Sequence, residues 1–168
     1  MAYQRRDARC GLELAVSAFD RACMNAARIL HVDDDSNDLI LFQHACKKAG
    51  VECDLEAVTD GDEAIAYLQG EDRFADRERY PMPDLMLLDL KMPRLSGFEV
   101  LNWIRHEEKC CSLPVVVLSS SNHEADIKRA YSLGANSYLV KPVAFDALVE
   151  TVKMIHQYWL TLNVQTHA

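Results

Sequence analysis

The sequence predicts a doubly wound α/β domain, a five-stranded parallel sheet with helices on both faces. Three observations carry this. Short apolar runs alternate with amphipathic helical runs five times along the chain. The run at 84–89 is apolar enough for a strand buried on both faces, as a parallel sheet requires, and 113–119 is strongly strand-like. Acidic, hydroxyl and basic residues also gather just past the ends of the strand runs, where an open parallel sheet binds its ligands.

The elements follow in order. Arg28-Ile29-Leu30-His31-Val32 is the first strand and ends in Asp33-Asp34-Asp35. Ser36-Asn37-Asp38 opens a helix to about Ala49, and Gly50 is its natural stop. A second strand covers about Cys53 to Val58. Asp60-Gly61 turns the chain, and a helix runs from about Asp62 to Leu68. Residues 69–83 are polar, carry charges of both signs and contain Pro81 and Pro83, so they read as an unusually long loop. The third strand ends at Asp89. Ser96-Gly97-Phe98-Glu99 is a capping box for a helix to about Glu107. Leu113 to Ser119 is the most strand-like run of all. Ser121-Asn122-His123-Glu124 offers a second capping box, for a helix ending at Gly134. Ser137 to Val140 is the last strand. A final helix runs from about Phe145 to Trp159, and the last nine residues read as frayed.

With 168 residues the chain favours one domain, assigned to 28–160, with an N-terminal extension over 1–27 and a tail over 161–168. In the extension Leu12, Val16, Phe19 and Cys23 fall on one helix face. They fit an accessory or dimerisation arm, while Met24, just before the first strand, fits an over-long start equally well. The formal charge of −8 argues against a nucleic-acid surface. No stretch of about 18 apolar residues is present to span a membrane, and no clean signal-peptide core emerges. The expectation is a cytoplasmic protein. Its six cysteines form no C-x-x-C pair, so they read as reduced thiols rather than zinc ligands.

The chemistry sits at the strand ends. Asp33 and Asp34 follow the first strand, Asp89 the third, Ser119 the fourth and Lys141 the fifth. Asp35 reads as the cap of the helix that follows. If the first and third strands are neighbours, at least three carboxylates share one crevice. They would pick up protons unless a cation sat among them. Oxygen ligands without Cys or His point to magnesium, and manganese could substitute. A carboxylate beside magnesium can be the nucleophile of phosphoryl transfer, forming an aspartyl phosphate. Lys141 and the Ser119 hydroxyl can then face the phosphoryl oxygens.

At these residues the sequence resembles the receiver domain of two-component response regulators. The matching pieces are Ile29-Leu30-His31-Val32-Asp33-Asp34, Leu87-Leu88-Asp89-Leu90-Lys91-Met92-Pro93 with Gly97, Val117-Leu118-Ser119-Ser120, Gly134-Ala135 and Tyr138-Leu139-Val140-Lys141-Pro142. The resemblance implies a flavodoxin-like strand order of 2-1-3-4-5. It implies Asp89 as phosphoacceptor, Asp34 as direct magnesium ligand, Asp33 as support through water, and the Lys91 backbone carbonyl as the third protein ligand. It also implies Ser119 as a switch residue, Tyr138 as its aromatic partner, Lys141 as the phosphoryl-contacting lysine, and a cis peptide before Pro142. Lys91 and Ser121 occupy positions whose side chains tune phosphate lifetime in the family.

The long loop at 69–83, the run 113–121 and Lys141-Pro142-Val143 resemble stand-alone regulators paired with phytochrome-type histidine kinases. The implied partners are such a kinase and a downstream target or phosphotransfer protein, with homodimerisation through the fourth-to-fifth-helix face as a family property. The 26 residues after Pro142 leave no room for an output domain. A phosphohydrolase of the haloacid-dehalogenase type would need a second Asp two residues after the nucleophile, where Lys91 stands. A scaffold that had lost phosphorylation would lack an Asp or the Lys, and all are present. The expected protein is therefore not a dedicated enzyme; it catalyses only its own phosphorylation and dephosphorylation.

Overall fold

In the computed structural model, which describes residues 27–164, five parallel strands stand in the order β2-β1-β3-β4-β5. They are β1 (Arg28–Val32), β2 (Asp54–Val58), β3 (Leu85–Leu88), β4 (Val115–Ser119) and β5 (Ser137–Val140). Between and after them come α1 (Ser36–Ala49), α2 (Gly61–Gln69), α3 (Gly97–His106), α4 (Glu124–Ser132) and α5 (Phe145–Ile155). Every residue of β3 and β4 is buried. The edge strands β2 and β5 are only partly covered.

Successive strand residues point to opposite faces, and this splits the core in two. Leu30, Val32, Met86, Leu88 and Val117 pack against α2, α3 and α4. Ile29, Leu85, Leu87, Val116 and Leu118 pack against α1 and α5, meeting Phe42, Val149, Val152 and Ile155. The alternation has a consequence for the site: His31, two residues after Ile29, faces the α1 side and stacks on Phe42 with centroids 4.6 Å apart.

The helix ends obey local chemistry. Asp35 caps α1, its side chain accepting the Asn37 N–H at 2.8 Å. Gly50 closes α1 at a φ of 67°, a left-handed conformation that costs glycine little. Glu99 reaches back to the Ser96 N–H at 2.9 Å, as the capping box predicts. Asp60, taken as a turn residue, is the cap of α2 and accepts the Glu63 N–H at 2.8 Å.

Three expectations are corrected. Residues 69–83 hold a 3-10 turn, Asp72–Phe74, because Phe74 buries itself between Tyr67 and Tyr80, at 5.0 and 5.2 Å. The second capping box does not form. Ser121 Oγ instead bonds Asp126 Oδ2 at 2.5 Å, and α4 begins three residues later with His123 at its cap position. The chain also stays helical beyond Trp159. A π-helical segment, His156–Leu162, continues α5, because Leu160 is buried in the α1–α5 core. Of the extension over 1–27, residues 1–26 lie outside the described residues, as do residues 165–168 of the tail over 161–168.

Candidate functional site

Parallel register brings four strand ends into one layer. Val32 is paired with Leu88, so Asp33 and Asp89 emerge side by side. The Asp33 N–H bonds Val58 O at 3.1 Å, and the Asp89 N–H bonds Val32 O at 2.9 Å. Ser119 pairs with Val140, and the Lys141 N–H bonds Ser119 O at 2.9 Å. The start of α3 closes over this layer. Gly97 is needed there: a Cβ on it would lie 2.0 Å from the Asp89 carbonyl oxygen, far inside van der Waals contact.

Asp33, Asp34 and Asp89 each present a carboxylate oxygen within 4.8 Å of the others. Asp33 and Asp89 are buried and Asp34 is exposed. Burial pushes the Asp33 carboxyl up to about 6, against the opposing pull of Lys141 and the Asp35 N–H. A carboxyl held there by desolvation is what a divalent cation would ionise. Two buried carboxylates and one exposed one, all hard oxygen donors, fit magnesium or manganese better than a soft metal.

Lys141 supplies the ammonium of the crevice. Its Nζ lies 2.7 Å from Asp33 Oδ2, 2.7 Å from Asp38 Oδ2 and 3.6 Å from Asp89 Oδ2. Burial alone would lower its pKa, but these carboxylates outweigh burial and raise it. Asp89 is further held by the Leu90 N–H, which donates to its Oδ1 at 2.7 Å. Lys91 follows two residues after Asp89, its side chain exposed in the β3–α3 loop.

Ser119 is fully buried, and its Oγ finds no partner at full hydrogen-bond geometry among the described residues. A buried hydroxyl in that condition is uncommon and asks for a partner. Tyr138 packs its ring against the core and donates its hydroxyl to the Ser121 carbonyl at 2.9 Å. Burial raises its pKa.

The peptide before Pro142 corrects an expectation. Among the described residues no peptide bond is cis. The trans form is intrinsically favoured by about 0.5–1 kcal/mol, and it already lets Lys141 reach Asp33.

Two site residues were not foreseen. Asp38 was read only as part of a helix start; its pattern, an acid three residues after a cap, is common wherever a helix begins. His31 lies 3.8 Å from Asp33 Oδ2. Burial, then the Lys141 charge, push its pKa down to about 3, so the ring is neutral. Its signal was a lone polar residue inside an apolar strand run.

Comparison with known proteins adds the family evidence. The response regulator receiver domain model matches residues 29–153. The "Probable methanogenesis regulatory protein FilR2" of Methanothrix harundinacea is 38% identical over 135 residues, covering 80% of this chain and 84% of its own. Response regulator Rcp1 of Synechocystis sp. is 36% identical over 132 residues, covering 79% and 88%. The manganese-bound crystal form of Rcp1 superposes with a TM-score of 0.74 at 34% identity, covering 83% and 99%. The phosphorylated cyanobacterial phytochrome response regulator RcpA superposes with a TM-score of 0.77 at 37% identity, covering 83% and 98%.

Proposed function

We propose a function from a fixed premise: this chain belongs to the response regulator receiver domain family. On that premise, Asp89 takes a phosphoryl group from the phosphohistidine of a histidine kinase. An Asp89 carboxylate oxygen attacks phosphorus, the N–P bond breaks as the O–P bond forms, and the imidazole leaves with its electron pair and is protonated. The chain is a cytoplasmic signalling switch that catalyses its own phosphorylation and dephosphorylation.

Each residue has a task. Asp34 and Asp89, with the Lys91 backbone carbonyl, hold Mg2+, for which Mn2+ can substitute, and Asp33 supports it. When bound, the cation neutralises charge on the phosphoryl oxygens. Lys141 pairs with one of those oxygens, and the Ser119 hydroxyl donates to another. The observation that supports this most is the meeting of Asp33, Asp34 and Asp89 within 4.8 Å of one another, with the Lys141 ammonium beside Asp33 and Asp89. The Mn2+-bound form of Rcp1 supports the metal reading.

Signalling then follows from Ser119 turning toward the phosphoryl group and Tyr138 responding. That change is read on the face of α4, β5 and α5, where Tyr131, Val140 and Met154 stand exposed. A downstream target, a phosphotransfer protein or a second copy of the chain docks there. Rcp1 and RcpA make a phytochrome-type kinase the first candidate donor.

The test is phosphoryl uptake. Incubation with acetyl phosphate should add one phosphoryl group per chain with Mg2+ and none with EDTA. A phytochrome-type kinase, phosphorylated beforehand, should transfer its label faster than an unrelated kinase. Uptake that ignores EDTA would sink the metal role.

A further inference from the structure

The contacts of Lys141 are unequal, and the inequality has a direction. Its Nζ sits 2.7 Å from Asp38 on α1 and 2.7 Å from Asp33, but 3.6 Å from Asp89. The lysine therefore leans toward α1, away from the residue that accepts phosphate on the reading above. Asp35 already caps α1 through the Asn37 N–H, so the Asp38 carboxylate is spare and faces the crevice.

The surroundings favour this seat. A cavity of about 50 Å³ lies between β1, α1 and the chain after β5, lined by His31, Phe42, Leu118 and Lys141 among others. Lys141 can rest its alkyl stem on the apolar wall and its head on two carboxylates.

We propose that Asp38 is a positioning residue that holds Lys141 in a resting seat, and that the strength of this ion pair sets how readily the chain takes up a phosphoryl group. The proposal rests on the reading of Asp89 as phosphoacceptor. Of the two close partners, Asp33 faces the cation when one is bound. Asp38 remains as the competitor of the incoming phosphoryl oxygens. Its side chain is 37% exposed, so the pair is partly screened and its effect moderate.

Three full-length proteins decide the point: the unaltered chain, Asp38→Asn and Asp38→Glu. Uptake from acetyl phosphate is timed at saturating Mg2+. Asp38→Asn should raise the rate at subsaturating acetyl phosphate about two- to fivefold, the size of a partly exposed ion pair. Asp38→Glu keeps the charge and should stay close to the unaltered rate.

A metal-free arm separates positioning from plain stability. Urea unfolding of Asp38→Asn, Lys141→Met and the double variant should show a coupling of about two- to fivefold in the unfolding constant. An unchanged or slower rate in Asp38→Asn, an equal gain in Asp38→Glu, or strict additivity in urea would overturn the proposal. No uptake by the unaltered chain would overturn the phosphoacceptor reading with it. Uptake there without a gain in Asp38→Asn overturns only the role of Asp38.

Discussion

The two halves of the crevice are built differently. On the β1–β3 side the charged groups already meet: Asp33, Asp38 and Asp89 surround Lys141 at unequal distances. On the β4–β5 side Ser119 is just as buried, yet its hydroxyl finds no partner at full hydrogen-bond geometry among the described residues, while Tyr138 is tied to Ser121. One half is preassembled for chemistry, and the other is poised for a partner that arrives with the chemistry. A switch needs both, because a site satisfied on every side would have no reason to change when a phosphoryl group enters.

The largest blow to the preassembled half is removal of its cation. Lys141→Met leaves Asp33 and Asp89 buried without their nearby ammonium, and should lower metal-free stability by roughly 3 kcal/mol at neutral pH. Urea unfolding checks this, and Mg2+ should recover part of the loss. Next is Asp34→Ala, which should weaken Mg2+ binding at least tenfold by titration calorimetry. Unchanged affinity would remove Asp34 from the metal shell.

Proton linkage sharpens the same half. The Asp33 carboxyl sits at about 6, above its ordinary 3.8. Its contribution to metal-free stability is therefore present below 3.8 and lost as pH rises through 6. His31, held down to about 3 from 6.5, acts in the opposite sense: its contribution is present above 6.5 and lost as pH falls toward 3. The cleaner readout is the metal, which must displace the Asp33 proton. Mg2+ affinity should fall by up to about tenfold per pH unit below 6 and level off above it. A flat profile would contradict the burial argument.

The poised half should respond more gently. Ser119→Ala removes a hydroxyl without a well-formed hydrogen bond among the described residues, so stability should change by less than about 1 kcal/mol. Uptake of phosphate should persist while the partner response is blunted; an intact response would break the proposed coupling. Tyr138→Phe loses one hydrogen bond to a carbonyl and should cost about 1 kcal/mol of stability in urea unfolding.

Much of this was legible in the sequence because it rests on short-range pattern. The strand runs, the Asp35 cap, the Gly50 stop and the strand-end inventory follow from periodicity and from where open sheets bind ligands. What escaped depends on contacts across the fold. Asp38 is an ordinary first-turn acid until Lys141, 103 residues on, reaches it. Phe74 lies in a polar stretch, and only Tyr67 and Tyr80 make it part of the core. Ser121 looked like a cap because its sequence fits one; Asp126 in the next helix took its hydroxyl instead. Leu160 lies near the end of the chain, where fraying is the usual outcome, but the α1–α5 core had room for it.

The account stands on Asp89, and an acyl phosphate can be located by its chemistry. Borohydride reduces an aspartyl phosphate to homoserine, which peptide mass mapping then finds. After treatment with acetyl phosphate and Mg2+, homoserine should appear at position 89 and nowhere else, and Asp89→Asn should neither gain a phosphoryl group nor yield homoserine. Homoserine at another aspartate, or undiminished labelling of Asp89→Asn, would contradict the account.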